Sequence, residues 1–293
     1  MRVVAANDIE YLIQDWKSSV VNDLTSSDNI GRLAEYGLNL ARILAYPELK
    51  VTDTLSKIDS MGTSVAQIIK KNGITRPTQI IEKINDHIFN IEKIKPNIDD
   101  YYNPVNSYLN VVMERKTGIP ITLCILYLRV AHTANFKMHP VNFPGHFLIK
   151  HVLEDNSGEI IVDPFNSGRI MDDYALKALL DQMYPRQNIS LTHALVQKAT
   201  AAQVVIRMLN NLKGSYGEAQ DLEKYAIANE MVLAIDQYNP DAIRDKGRIL
   251  FARGDSIESL KVLNLYLEIN PEAEDADEIL DLIRQIRSGK NSG

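Results

Sequence analysis

Between Gly118 and Asp163 the hydrophobic pattern switches from helical to extended. That switch limits the chain to folds in which a core helix is followed at once by a small sheet. Pro120 suits the first turn of a helix, where a missing N–H costs nothing, and the sequence from Pro120 to about Thr133, PITLCILYLRVAHT, is strongly apolar. After it, Pro140–Phe143, Phe147–Leu153 and Glu159–Val162 read as extended, with Asp155-Asn156-Ser157-Gly158 as a hairpin turn. His146 then stands at the start of one strand and Asp163 at the end of the next.

The flanks are helical. From Asp8 to about Ile94 apolar residues recur at three-four spacing, for example Leu33, Tyr36, Leu40 and Leu44, and Pro47 ends that run. Val51–Met61 repeats the pattern, and Pro77, with Thr75 as a cap, opens a helix carrying Ile80, Ile81, Ile84 and Ile88. Tyr108–Arg115 reads as one more short helix. Beyond Asp172 helices resume. Tyr238-Asn239-Pro240-Asp241-Ala242 recurs as Ile269-Asn270-Pro271-Glu272-Ala273, with Gly247 and the Gly254-Asp255 turn between. Small residues at crossings and an Asn-Pro break suit stacked helix pairs, at a period shorter than the ~34 residues of a tetratricopeptide repeat. The expected class is α+β, mostly helical, divided into a helical region 1–97, a core with a small antiparallel sheet 98–198 and helix pairs 199–293.

Composition excludes several functions. A net charge of −6 and a pI near 5.6 provide no basic field for nucleic acid or anionic lipid. A single cysteine excludes an internal disulfide or a multi-cysteine metal site, and the histidines have no metal-ligand spacing. Phosphate-loop and dinucleotide fingerprints are absent, so no cofactor is expected. Apolar runs such as ITLCILYL are too short for a membrane span, and MRVVAANDIEYLIQDW reads as neither a signal peptide nor a span. A cytoplasmic protein with a protein or peptide partner is the expectation.

His146, in Phe143-Pro144-Gly145-His146-Phe147, can present a ring nitrogen to a cleft, and strand pairing can bring Asp163 beside it to orient the ring. From spacing alone the favoured reading of the same pair is a buried hydrogen bond that tethers two strands. Cys124 lies one turn inside the helix that Pro120 opens, on its apolar face, where a lone cysteine is a small core residue or, alternatively, a nucleophile. Asn106-Ser107 and Asp99-Asp100 fit turn and capping chemistry; alternatively, Asn106 and Tyr102 line the His146 cleft.

These motifs resemble the SirB1 family, transglutaminase-like proteins with a tetratricopeptide-like C-terminal region. The resemblance runs from about Arg32 to about Leu282. It rests on Tyr101, Asn106-Ser107-Tyr108-Leu109, Gly118-Ile119-Pro120-Ile121-Thr122-Leu123, Phe143-Pro144-Gly145-His146-Phe147, Asp163-Pro164-Phe165-Asn166-Ser167-Gly168, Arg207-Met208-Leu209-Asn210-Asn211-Leu212-Lys213 and Arg244-Asp245-Lys246-Gly247, in that order. It implies a papain-like core whose catalytic members open the helix with Gly-x-Cys, followed by a histidine and an aspartate. Here that pattern aligns with Gly118-Ile119-Pro120, His146 and Asp163. Proline has no nucleophile. Substituting Cys124 moves the thiol one helical turn, ~5–6 Å, whereas a nucleophile and its base must meet at ~2.6–3.2 Å. The reading is therefore a SirB1-like protein without thiol catalysis, acting as a regulatory or protein-binding module. Its rival is a cysteine peptidase or acyl-transferase using Cys124, His146 and Asp163.

Overall fold

The computed structural model describes residues 6–26, 29–100, 103–154 and 157–289. The helices in chain order are α1 (Ala6–Trp16), α2 (Asn22–Ser26), α3 (Leu33–Leu44), α4 (Val51–Asn72), α5 (Pro77–Asn85), α6 (Leu109–Arg115) and α7 (Pro120–Thr133), then α8 (Asp173–Met183), α9 (Ala201–Glu218), α10 (Leu222–Ile235), α11 (Pro240–Ala252), α12 (Ser256–Ile269) and α13 (Ala276–Arg287). The strands are β1 (Lys95–Pro96), β2 (Thr117–Gly118), β3 (His139–Val141), β4 (Leu148–Val152), β5 (Glu159–Asp163) and β6 (Arg169–Met171). This is the mostly helical α+β class expected from the sequence.

Contacts divide the chain elsewhere than at the expected 97/98 and 198/199 boundaries. One compact unit spans Asn22–Asn211, and the other joins the segment up to Val21 with Leu212 onward. The cause is tertiary: α1 packs with α10, and the Trp16 indole donates to the Met231 carbonyl at 3.1 Å.

In the larger unit α7 is the centre. Eleven of its 14 residues are buried, which marks a helix apolar on every side as a core element. The α4 crossing is close because Gly62 has no side chain: a Cβ there would lie 2.5 Å from the Thr133 Cβ and 2.7 Å from the Val130 carbonyl oxygen. Arg129 of α7 fixes the same crossing by a forked pair to Asp59 at 2.6 and 2.7 Å and a bond to the Gly31 carbonyl at 2.8 Å. Burial pushes the Asp59 carboxyl up, but Arg129 and Thr133 outweigh it and hold it below the ordinary value. α4 runs well past Met61, to Asn72, and stops where Gly73 enters the left-handed region at φ +61°. Thr75 does not cap α5. Arg76 occupies the cap position without a side-chain bond, and Pro77 begins the helix as expected.

The sheet is antiparallel in the order β3-β4-β5-β6, with His139 opposite Lys150 and Val162 opposite Ile149. Val141, Leu148, Ile161 and Met171 pack on Leu176 and Leu180 of α8, while α7 lies against β4 and β3. Covered on both faces, β4 buries four consecutive residues, Leu148–His151. Lys150 is kept there by Glu159 at 2.7 Å and the Val196 carbonyl at 2.6 Å. Of the expected hairpin turn, Asp155 and Asn156 lie outside the described residues. β6 was not expected; its three residues are too short to show alternation, and two of them are exposed.

The second unit is a set of packed helices. Gly247 of α11 permits a tight crossing with α12, since a Cβ would fall 2.5 Å from Leu263, and Ser259 donates to the Gly247 carbonyl at 2.8 Å. The recurring Asn-Pro pairs play different parts. Asn239 caps α11 through the Ala242 amide at 3.1 Å, whereas Asn270 ends α12 and α13 starts only at Ala276. Asp245 is buried among Lys213 at 2.7 Å, Tyr225 at 2.8 Å and Arg244 at 3.0 Å.

Candidate functional site

Three segments of the larger unit make up the candidate site around α7. The first is the helix start itself. Ile119 holds the cap position in extended conformation, and Pro120 is the first helical residue. The Thr122 hydroxyl accepts the Ile119 amide at 3.1 Å, and its own proton faces the carbonyls of Ile119 (3.1 Å) and Asn106 (3.2 Å). The hydroxyl is thereby committed to backbone. Pro120 and Thr122 are both buried.

The second segment is a turn, Phe143–His146, closed by the His146 amide on the Phe143 carbonyl at 3.1 Å. Proline at its second position and Gly145 at its third, with φ +67°, are the residues such a turn requires. His146 therefore closes a turn, and the strand begins two residues later at Leu148. Arg207 of α9 braces this turn: its guanidinium bonds the Asn142 side chain and, at 3.0 Å, the Phe143 carbonyl, and lies 5.6 Å from the Phe147 ring centre.

The third segment is the end of β5. Asp163 Oδ1 meets His146 Nε2 at 3.0 Å and accepts the Phe165 amide at 3.0 Å and the Asn166 amide at 3.4 Å. Its Oδ2 accepts the Asn166 side-chain amide at 2.6 Å. Pro164 sits at the first position of the turn that Asp163 caps. Phe165 meets the His146 ring edge-on at 5.9 Å. His146 is 4% exposed and Asp163 0%, so the pair is closed from solvent.

Behind the pair, Gly168 (φ +74°) passes so close to α5 that a Cβ would lie 1.9 Å from Asn85 Oδ1. Asn85 donates to the Gly168 carbonyl at 2.9 Å and accepts the Tyr127 hydroxyl at 2.8 Å, linking the loop to α7. Nothing in a lone sequence marks Asn85. Arg207, by contrast, lies inside one of the resemblance motifs.

Cys124 is fully buried one turn inside α7, and its thiol donates to the Phe147 carbonyl at 3.3 Å. Burial pushes the thiol well above its ordinary value, Asp163 adds to the shift, and Arg207 opposes it. At neutral pH it is a protonated thiol rather than a thiolate. Asn106 is buried and ties a loop together: its side chain accepts from Asn97 at 2.8 Å and donates to the Asp100 carbonyl. Tyr102 and Tyr101 lie outside the described residues. The structure thus joins His146 to Asp163, places Cys124 behind the adjacent Phe147 carbonyl and gives Asn106 a loop-bracing geometry. Among the described residues no group of three His, Cys, Asp or Glu is arranged to hold a metal ion, and no helix is long and apolar enough to cross a membrane.

A helix head, a turn-borne histidine and a strand-end aspartate are the parts of a transglutaminase-like core, and the family comparison agrees. The model of the transglutaminase-like superfamily matches residues 52–210, more than half of the chain. The chain belongs to this superfamily. Within it the relatives point to the SirB1 family. A UPF0162 protein of Xylella fastidiosa is 31% identical over 199 residues, covering 66% of this chain and 69% of that protein. Protein SirB1 of Salmonella typhimurium is 28% identical over 182 residues, 60% of this chain and 63% of its own. Human F-box only protein 21 is 31% identical over 184 residues, 59% of this chain but only 28% of that longer protein. No solved structure gives a significant match.

Proposed function

We propose that this SirB1-family protein works without thiol catalysis, as a regulatory, protein-binding module built on a transglutaminase-like frame, in the cytoplasm. The observation that carries the reading is the head of α7, where the position needing a thiol holds buried Pro120 and the sole cysteine lies one turn in, its proton on the Phe147 carbonyl. Thr122 cannot substitute, since its hydroxyl already serves three backbone groups. The near-complete burial of His146 and Asp163 favours a tether joining the 143–146 turn to the end of β5 over an open docking cleft. On this reading partner contacts fall to the helical surfaces, including the repeat-like helices α10–α13.

The test compares the wild type with Cys124→Ala. Hydrolysis of p-nitrophenyl acetate and of a fluorogenic peptide mixture is expected to be equal for the two, and Cys124 is expected to react with iodoacetamide more slowly than free cysteine. Turnover that disappears with Cys124 would overturn the reading in favour of a cysteine peptidase or acyl-transferase.

A further inference from the structure

The loop after α7 borders a second feature, made of residues other than those of the His146–Asp163 pair. A cleft of about 970 Å³ runs beside it, walled by Lys137 of the loop, His139 of β3, His151 and Glu154 at the end of β4, and Lys198. Ile80 of α5 and Leu153 provide apolar wall. A neighbouring cleft of about 480 Å³ shares Lys137 and His139 and adds His132. The size suits a small organic molecule, at the upper end of the usual range of roughly 300–1,000 Å³.

Its charge is opposite to that of the chain. The protein carries −6 overall with histidine counted neutral, yet among the described residues that line the larger cleft two lysines, Lys137 and Lys198, face one carboxylate, that of Glu154. Lys116, Lys150 and Lys213 each face a carboxylate at 2.6–2.7 Å. Lys137 and Lys198 form no ion pair among the described residues and are exposed. Two like charges that line one concave surface without an ion pair focus potential toward an anion.

The wall is also preformed. His151 is 9% exposed, stacks on Phe136 with ring centres 4.3 Å apart at 21°, and contacts the Lys137 carbonyl through Nδ1 at 2.8 Å. A carbonyl only accepts, so Nδ1 carries the hydrogen, and the imidazole fastens the backbone that bears Lys137 to the sheet. The ordering cost of positioning that lysine's backbone is met before a ligand arrives.

We propose that this cleft binds a small organic anion, a carboxylate or phosphate on an apolar body, with Lys137 and Lys198 supplying the countercharge and Ile80 and Leu153 the apolar contact. The test is isothermal titration calorimetry of the full chain at low ionic strength with phenyl phosphate, benzoate and inorganic phosphate. Saturable binding of phenyl phosphate or benzoate is expected, weakened at least about tenfold in Lys137→Ala/Lys198→Ala and unchanged in Lys57→Ala, an exposed α4 lysine outside the cleft. Preference for phenyl phosphate or for benzoate names the anion, and either supports the site. Three results overturn it: no saturable binding of any probe, equal affinity in the double variant, or an equal loss in Lys57→Ala. Inorganic phosphate binding as tightly as phenyl phosphate overturns the apolar half of the assignment. Both lysines are exposed, so an unchanged circular dichroism spectrum and Tm are expected to accompany the loss.

Discussion

Asp163 and Asp245 are both buried carboxylates at the heart of their units, yet they are held by opposite means. Asp245 is gripped by cations, Lys213 at 2.7 Å and Arg244 at 3.0 Å, with Tyr225 as a third donor. Asp163 is gripped by dipoles: two backbone amides, the Asn166 side chain and the His146 ring. A carboxylate held by amides stays where it is whether or not the imidazole is charged. That arrangement fixes the carboxylate beside the His146 ring independently of the ring's charge. Asp245 is the centre of an internal ion cluster whose Arg244 also reaches Asp241 at 3.0 Å and Asp275 at 3.3 Å.

The contrast predicts a ranking of damage. Asp245→Ala leaves Lys213, 4% exposed, with no counter-ion among the described residues, while Arg244 keeps Asp241 and Asp275; the substitution is expected to cost about 3–5 kcal/mol. Trp16, the sole tryptophan, lies fully buried in the same unit, so its fluorescence in urea reads this loss directly. Asp163→Ala strands neutral donors, some of which relax toward one another, and about 2–4 kcal/mol is expected from far-ultraviolet circular dichroism in urea. A larger cost at Asp163 than at Asp245 would break the comparison.

Gly168→Ala sharpens it from the backbone side. Positive φ and the approach of Asn85 leave no room for a methyl group, and about 2–3 kcal/mol of destabilisation is expected, with Tyr127 losing its anchor. If Gly168→Ala unfolds no earlier than the wild type, the Asn85 link does not brace the Asp163 turn.

The smallest effect is in pH. Burial pushes the Asp245 carboxyl up, but Lys213, Tyr225 and Arg244 more than compensate and its value in the folded state is lowered. Below its unfolded value near 4 the unfolded chain therefore binds the proton first, so stability rises with pH in that window. The contribution is complete above about pH 4 and is lost as pH falls through the folded value. Asp245→Asn is expected to flatten the slope of Trp16-monitored stability below about pH 4 relative to wild type. An unchanged slope would mean that the cluster does not carry the linkage.

What could be read from the chain follows the range of each interaction. The bounds of α7 were legible because proline fixes a helix start locally and the apolar run behind it belongs to one element. The antiparallel pairing of β4 and β5 followed from two extended runs joined by a short turn signal. The His146–Asp163 contact was legible only as one of two meanings, orienting pair or tether, since spacing brings the residues together without stating their burial. The kinship of α1 with the C-terminal helices was invisible, because Trp16 and Met231 are 215 positions apart. Asn85 was missed for the same reason, its partner Gly168 being 83 positions away. β6 lacked the length to show a period, and the two Asn-Pro pairs look alike in sequence while only Asn239 caps a helix.

Cys124 has a practical consequence. The chain's one sulfhydryl is sealed in α7 and satisfied by the Phe147 carbonyl, so the folded protein presents no exposed thiol for oxidation or for an intermolecular disulfide. A cysteine introduced on the surface then becomes the one reactive thiol of the molecule. A spin label or fluorophore can be placed on either unit without first removing the native residue, and the distance between the two units becomes directly measurable.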